Sequence, residues 1–508
     1  MKRKETIADA AILIMMGTMV AKSLGFFREL AIAYKYGAGS ISDAFLLTNG
    51  IPSMIFVSIG TAIGINYIPF CQKLKDKEEQ DRFTSNLLNV ILIILLTGCI
   101  LVDFFPKLIL KIFATGLPDE TEEYAVVMLR IVMFSIIPII VSHLFQAYSQ
   151  IKGQFHTTAW FGVITNIIII GTTLISTEKT YYLLSVGTIL ANTAGMLIIL
   201  YGAKKDGYQY LRLFKPFDNY IKMLVILTLP LVIEDVASSM CLLVDRNLAS
   251  FLDSGTISAL SYAGTLGNIA GTMISGPIIT ASFPAFSKLI ADNNQDGFDK
   301  EFSKYSNVIC FFLCPISIAM LFHAKDIVQF IFEHGKLGNT ASRIVWESMA
   351  CYAVGVVPLG LQTYLIRGYY AMQDTKTPVK IKVFSLICNI ALNLATVKIW
   401  KHMGIAMSTS ISYIIAYILL AYCLQKKYQI KSVKDISKGV IVNVISSVIP
   451  GMISFLMFNF WISIDLLFVK LFLEIALFAA VYLIVIGITN RKTLITAVHI
   501  MKKRLKRD

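Results

Sequence analysis

Charged residues are scarce in this chain of 508 residues: Asp, Glu, Lys and Arg make up 15% of it, whereas 56% is hydrophobic. A soluble domain contains roughly a quarter charged residues, so this shortage excludes an ordinary soluble globule. Long apolar runs recur along the chain instead, for example at 88–106, 159–176 and 465–489. Because a hydrocarbon layer about 30 Å thick needs about 20 helical residues, the sequence predicts an all-α polytopic membrane protein.

Motifs for nucleotide binding and metal-dependent catalysis are also missing. The sequence has no Gly-rich phosphate loop and no soluble stretch long enough for a nucleotide domain, which excludes a self-contained ATP-driven pump. The six His residues are scattered, and most of the eight Cys residues lie in apolar runs, where Cys acts as a small hydrophobe. We therefore expect no metal centre and no organic cofactor. An ion gradient of sodium or protons, the membrane potential or substrate flow is left to supply the energy.

The apolar runs predict about fourteen transmembrane helices. The basic residues at positions 2–4 precede an apolar stretch with no small-residue cleavage site before Lys22, so we expect a retained first helix rather than a signal peptide. The predicted helices lie near 7–33, 40–71, 83–106, 123–150, 157–176, 181–203, 220–252, 255–287, 305–323, 342–371, 381–398, 404–425, 439–461 and 465–489.

The distribution of Lys and Arg predicts the orientation of these helices. The segments at one set of helix ends carry about 30 positive charges, and the alternate segments carry about 8. Because Lys and Arg collect on the cytoplasmic side, both termini are expected in the cytoplasm. The net charge of +14 then reflects topology and contact with anionic bilayer lipids, and no nucleic-acid partner is expected.

Two pairs of similar segments indicate an internal duplication. The stretch "RELAIAYKYGAGSISDAF" begins at Arg28, and "RNLASFLDSGTISALSY" begins 218 residues later at Arg246. A second pair, "LFQAYSQIKGQFHTT" from Leu144 and "LIRGYYAMQDTKTP" from Leu365, has an offset of 221. Two matches at nearly one offset make predicted helices 1 and 7, and helices 4 and 10, equivalent.

The duplication predicts three regions. An N-terminal lobe of helices 1–6 covers 1–215, a C-terminal lobe of helices 7–12 covers 216–430, and helices 13 and 14 with a basic cytoplasmic tail cover 431–508. Six helices separate the copies, so the two lobes are expected to be related by an axis along the membrane normal. Many transporters are built from such repeats, with the substrate site at the repeat interface, which favours alternating access.

Several motifs resemble the MurJ (MviN) family of lipid II flippases, within the multidrug/oligosaccharidyl-lipid/polysaccharide exporters. The resemblance runs from about residue 7 to 425, and one stretch, "IPSMIFVSIGTAIGINYIPF", is similar to Gram-positive, clostridium-like members. It implies a multi-pass protein of the bacterial cell membrane that moves undecaprenyl-diphosphate-linked disaccharide pentapeptide to the outer leaflet. The motifs are "GFFRE", "GAGSISDAF", "NYIPF", "DRNLASFLDSGTISALSYA", "FEHGK", "YYAMQDTKTPVKI" and "NIALNL".

The resemblance also points to a substrate site. Family members have basic residues in helix 1 and an acid at the start of helix 2, and here these positions hold Lys22, Arg28 and Asp43. A guanidinium suits a diphosphate because its planar fork binds phosphate oxygens in pairs. Pairing of Lys22 with Glu29 is the structural alternative, and Asp43 is expected either to bind substrate or to hold Arg28. Gly25 is a place where helix 1 could bend and bring both cations toward one cavity.

Two positions depart from the family pattern. Many relatives carry Arg in helix 8, where this chain has Gly264 and Thr265, and many carry Arg in the second half of helix 2, where this chain reads "SMIFVS". The cavity is therefore expected to hold fewer fixed positive charges, which keeps a different lipid-linked sugar open as the substrate.

Five further polar residues in predicted spans form a candidate ion site. Glu234 and Asp235 lie deep in helix 7, where ionisable groups are functional candidates, and Asn389, Asn393 and Thr409 lie on helices 11 and 12. Carboxylate, amide and hydroxyl oxygens suit a monovalent cation such as sodium. Hydrogen bonding between helices is the alternative role for the Asn residues.

Other functions stay open at this point. A flippase for teichoic-acid or capsule precursors is the nearest alternative, and a drug/cation antiporter is disfavoured by the cations of helix 1. An enzyme is not expected, because the longest outer loops, near 107–122 and 324–341, are short and lack a catalytic acid pair. A non-transporting scaffold for cell-wall synthesis proteins is the third class.

Overall fold

The protein is built from helices. The computed structural model describes residues 7–52, 58–72, 74, 76–152, 156–462 and 464–496, and every regular element in these ranges is helical, which confirms the all-α prediction. Short 3₁₀ turns lie at Met133–Ser135 and Glu178–Thr180, and a π-helical turn lies at Met457–Trp461. The α-helices are α1 (Ile7–Tyr36), α2 (Ser40–Pro52), α3 (Ser58–Cys71), α4 (Lys77–Phe104), α5 (Pro106–Phe113), α6 (Asp119–Val132), α7 (Ile136–Ile151), α8 (His156–Ile175), α9 (Leu183–Lys205), α10 (Asn219–Ser250), α11 (Thr256–Ala291), α12 (Gln295–Phe322), α13 (Ala324–Phe332), α14 (Asn339–Ala371), α15 (Lys376–Tyr428), α16 (Ser432–Leu456) and α17 (Leu467–Thr489).

Each predicted helix falls on a helix of the structure, with two corrections in the loops. The stretches near 107–122 and 324–341 are not simple loops, because they contain the short helices α5 and α13. Predicted helices 11 and 12 together form α15, which is broken at Lys401, where φ is 47° and ψ is −127°. Among the described residues, eight helices are long and apolar enough to cross a membrane, or nine with one bent pair. The number of fourteen spans stays a prediction.

Large apolar side chains cover the outside of these helices. Phe104 of α4 is 72% exposed and Ile488 of α17 is 80% exposed. Soluble proteins rarely present wide apolar patches to water, whereas such side chains are the ordinary lipid-facing surface of a membrane helix. The structure therefore agrees with a multi-pass membrane protein.

The helix order repeats along the chain at the offset that the sequence motifs gave. The helices α4 and α12 are both 28 residues long, and their first residues, Lys77 and Gln295, are 218 positions apart. The short helices α5 and α13 follow them at the same spacing. Gly37 and Gly255, also 218 positions apart, both have positive φ, at 65° and 92°. Their conformation suits glycine, which has no Cβ to clash.

In each copy of the repeat, one carboxylate accepts hydrogen bonds from the segment that follows the last helix of that copy. Asp81 of α4 accepts a hydrogen bond from the amide of Gln209, 3.2 Å away, just after α9. Asp299, at the equivalent position of α12, accepts hydrogen bonds from the amide and hydroxyl of Ser432, at 3.2 and 2.8 Å, just after α15. The duplication therefore extends to individual polar contacts.

The chain divides into two compact units. The first contains residues up to Ser258 together with Gly335–Leu337, and the second contains Ala259–His334 and the residues from Gly338 onward. In the first unit α10 packs against α3 and α5, although the duplication assigns α10 to the C-terminal lobe. The lobe boundaries at 215 and 430 describe the repeat and stay predictions.

The "DTKTP" segment of the family motif has a clear structural role at the start of α15. The carboxylate of Asp374 accepts hydrogen bonds from the Thr377 amide at 3.0 Å and the Thr377 hydroxyl at 2.6 Å. Lys427 and Tyr428, at the other end of α15, donate to the same carboxylate at 2.7 and 2.8 Å. Burial opposes ionisation, but these donors hold the pKa of Asp374 well below its usual range.

We expect Asp374→Asn to lower the free energy of unfolding by about 1.5–3 kcal/mol, the range for hydrogen bonds to a charged group. A depressed pKa means that the carboxylate stabilises the fold above its unfolded pKa of about 3.9 and loses this effect as the pH falls toward the folded pKa. In thermal unfolding of the purified protein, the stability difference between wild type and Asp374→Asn should therefore shrink as the pH falls from about 5 to about 3, a range that contains the unfolded pKa. The exposed Asp292 provides the control Asp292→Asn, and an unchanged difference at low pH would contradict the assignment.

Candidate functional site

Arg28 and Glu29 lie where α1 packs against α8. Asn166 of α8 donates a hydrogen bond to the backbone oxygen of Ala21 at 3.2 Å and accepts one from Nη1 of Arg28 at 3.4 Å. Nη2 of Arg28 forms an ion pair with Oε1 of Glu29 at 3.0 Å. The Arg28 side chain is 26% exposed and that of Glu29 is 7% exposed, so Arg28 is the accessible member of the pair.

A second arginine approaches the same carboxylate. The guanidinium of Arg246, from α10, lies within electrostatic range of both Glu29 and Asp245. Nη1 of Arg246 is buried and has no hydrogen-bond partner among the described residues, and it lies against Gly50 of α2, where a Cβ would overlap it. We call Arg28, Glu29, Asn166 and Arg246 the α1 charge cluster. Its two guanidinium groups are balanced by the carboxylates of Glu29 and Asp245, and Arg28 is its partly exposed cation.

The carboxylate of Asp43 lies against the segment that begins α11, and its role toward substrate stays a prediction. Its Oδ2 accepts a hydrogen bond from the Gly255 amide at 2.6 Å, and its Oδ1 accepts from the Ser258 amide at 2.7 Å and the Ser258 hydroxyl at 2.6 Å. The residue is 3% exposed. Both oxygens are therefore occupied by the segment that begins α11, and the hydrogen bonds described for Arg28 go to other residues.

Lys22 lies on another side of α1. Its side chain is exposed, and α1 is helical through Gly25 without interruption. A separation of six residues places Lys22 and Arg28 about 120° apart around a helix axis. The structure therefore does not place the two cations on one face of the helix.

Three of the five residues of the predicted ion site come together within α15. The amide nitrogen of Asn389 lies 3.4 Å from the hydroxyl of Thr409, and that of Asn393 lies 3.2 Å from Oδ1 of Asn389. Both Asn side chains are buried. The side chains of Glu234 and Asp235 lie outside the described residues, so the carboxylate part of the site stays a prediction.

Sequence reasoning missed Asn166 and used Arg246 only as the start of the repeated segment. In the sequence, Asn166 is a single amide side chain within the apolar run "FGVITNIIII". Its role is visible only from its partners on α1. The pairing expected for Glu29 was with Lys22, and the structure shows an ion pair between Glu29 and its neighbour Arg28.

An all-helical, apolar-surfaced chain with a duplicated helix order and charges inside its helices defines a polytopic membrane transporter. The likeness to solved structures agrees. A structure titled "Lipid II flippase MurJ, inward closed conformation" matches with a TM-score of 0.82 and 25% identity, over 95% of this chain and 100% of that one. An inward-facing multidrug resistance MATE family transporter of the MOP superfamily has a TM-score of 0.69 and 15% identity, covering 82% and 95%.

The chain belongs to the lipid II flippase MurJ family. The family model described as "Lipid II flippase MurJ" matches residues 32–478. A relative named "Probable lipid II flippase MurJ" from Thermotoga maritima is 23% identical over 420 residues, covering 82% of this chain and 86% of its own. The "Lipid II flippase MurJ" of Burkholderia cenocepacia is 24% identical over 432 residues, covering 82% and 84%.

Proposed function

We propose that this protein is a flippase that moves lipid II from the cytoplasmic to the outer leaflet of the cell membrane by alternating access. The match of the family model across residues 32–478 carries the assignment of substrate. The repeated helix order supports alternating access, because repeat-built transporters work by moving one repeat against the other. The protein binds and moves its substrate without making or breaking covalent bonds, so it acts as a transporter rather than an enzyme.

Arg28 is the proposed contact for the diphosphate of the substrate. The observation that supports it is an arginine 26% exposed whose Nη2 is held by a nearly buried glutamate. Each phosphate of a diphosphate, like a carboxylate, presents negatively charged oxygens that accept hydrogen bonds from a guanidinium in pairs. The substrate therefore replaces solvent on the open side of Arg28 while Glu29 and Asn166 fix the other side, and Arg246 adds positive potential behind them.

The remaining roles follow from the same scheme. Lys22, exposed on α1, assists as a point charge at the edge of the site rather than as a second fork. Sodium held by Glu234 or Asp235 with the Asn389, Asn393 and Thr409 group, or a proton, couples the cycle to an ion gradient.

Depletion and rescue tests the function. A bacterium depleted of its own lipid II flippase is supplied with this chain, and outward exposure of lipid II is measured. Restored growth with restored exposure is the expected result. Because any undecaprenyl-diphosphate-linked glycan presents the same diphosphate, a parallel strain lacking a capsule or teichoic-acid precursor flippase is the second arm, and rescue of that strain alone would reassign the substrate.

We expect both termini in the cytoplasm, from the excess of Lys and Arg on one set of connecting segments. Single cysteines placed at Lys179 and Lys336 should react with an impermeant thiol reagent in intact cells, whereas those at Lys77 and Lys205 should react only after permeabilisation. The pair Lys336 and Glu178 forms an ion pair, so Lys179 is the cleaner outer position. A reversed pattern at two or more positions overturns the topology.

A further inference from the structure

A buried group of polar side chains in the second unit has no part in the proposed transport site. His323 lies between α12 and α13, Asp326 is in the first turn of α13, and Glu474 is in α17. One ligand atom from each residue lies within 4.8 Å of the others, and all three residues are buried. Imidazole and carboxylate are ligand types that divalent metals share in proteins.

Ser454 of α16 holds one ring nitrogen of His323. The Ser454 hydroxyl lies 2.9 Å from Nε2 of His323 and 3.2 Å from the backbone oxygen of Gly451. When the hydroxyl donates to Gly451, Nε2 donates to the hydroxyl and the lone pair of Nδ1 is left for a cation. Nδ1 faces Oε2 of Glu474 at 3.1 Å.

These atoms lie within ion-pair distance of one another, but none of them has a well-aligned hydrogen bond. His323 and Glu474 side chains are fully buried, and Nδ1 of His323 and both oxygens of Glu474 have no hydrogen-bond partner in the described part of the chain. Lys470 donates to Oδ1 of Asp326 at 3.0 Å but approaches Oε1 of Glu474 only to 3.6 Å. Buried polar atoms are paired in native proteins, and a cation held between Nδ1 and the Glu474 carboxylate satisfies both.

We propose that His323, Asp326 and Glu474 bind one zinc ion. Two ligands each about 2.1 Å from zinc stand about 3.4 Å apart in a tetrahedral arrangement, within a few tenths of an ångström of the 3.1 Å between Nδ1 and Oε2. Ser454 holds the other ring nitrogen, as outer partners of metal-bound His do. Asp326 keeps one oxygen for the ion while Lys470 holds the other. The ion fastens α17 to the α12–α13 corner.

Metal binding by the purified, tag-free protein in nanodiscs tests the proposal. After chelator treatment and dialysis against zinc, mass spectrometry should find one zinc ion per chain, and a competing fluorescent chelator gives the affinity. Glu474→Gln and His323→Ala should each weaken zinc binding by about 100-fold or more, beyond the 10–100-fold loss typical of outer-shell changes. Zinc should raise the unfolding temperature of wild type and leave that of both variants unchanged.

The matched control is the other His–carboxylate pair of the same unit. Nε2 of His402 lies 2.9 Å from Oε2 of Glu347, so Glu347→Gln removes a similar contact and should leave zinc binding intact. If a variant fails to fold, cobalt bound to wild type must still give the absorption spectrum of a tetrahedral site. Wild type that takes up no stoichiometric zinc or cobalt overturns the proposal and leaves a proton as the shared cation. Zinc that binds equally to Glu474→Gln overturns it as well.

Discussion

Arg28→Ala is expected to abolish rescue of a flippase-depleted bacterium while the protein still accumulates in the membrane. The substitution removes the guanidinium that the proposed diphosphate contact requires. Losing one member of a desolvated charge pair commonly costs about 2–5 kcal/mol, which is about a 30-fold loss or more in binding at 1.4 kcal/mol per tenfold. Arg28→Lys should rescue in part, because an ammonium keeps the charge and loses the bidentate geometry.

Two controls separate substrate binding from a packing role for Arg28. Arg130 of α6 is 52% exposed and lies 3.6 Å from Asp103, so Arg130→Ala removes an arginine of little energetic weight and should rescue fully. The double variant Arg28→Ala with Glu29→Gln removes the ion pair as a unit. If Arg28 only balances Glu29, the double variant regains flipping. Continued loss of flipping by the double variant supports contact with substrate, and normal flipping by Arg28→Ala rejects it.

Asp43→Ala is expected to destabilise the protein strongly. The change leaves the amides of Gly255 and Ser258 without their acceptor at a buried position, and each unsatisfied buried group costs about 1–3 kcal/mol. A total of about 3–5 kcal/mol is a large share of the stability of a typical domain. Heating the detergent-solubilised variant and measuring the monodisperse fraction should show a clear fall in unfolding temperature.

Asp43→Asn provides the graded comparison. An asparagine keeps one oxygen that can accept from Ser258, but its side-chain NH₂ group then faces the amide of Gly255. Two donors therefore face each other, and an intermediate loss of stability is expected. Asp253 is exposed in the same connecting segment, and Asp253→Ala should be neutral. A stable Asp43→Ala protein that fails to flip would instead assign Asp43 to the substrate.

The sequence predicted the helical class, the repeat and the cations of α1 because each depends on composition or local spacing. Apolar runs mark helices wherever they lie, and the offset of 218 between Arg28 and Arg246 is visible in the letters. The helices α5 and α13 were missed because a stretch of eight or nine residues is too short for a span and too apolar for a plain loop.

The partners of the polar residues could not be predicted in the same way. Asp43 meets Ser258, and His323 meets Glu474, across separations of 215 and 151 positions. No periodicity links such positions, because the pairing is decided by how the helices pack. The place of Asp43 in a motif predicts a site residue, whereas its hydrogen bonds make it a cap for the segment that begins α11.

The carboxylates Asp81 and Asp299 also bear on how the chain enters the membrane. Each holds the first residues that follow the last helix of its own copy, through the amides of Gln209 and Ser432. A contact that closes within one copy requires nothing from the other. This contact can therefore form as soon as the first set of helices is in the bilayer, whereas Asp43 gains its partners only once Gly255 and Ser258 of the second copy have been synthesised.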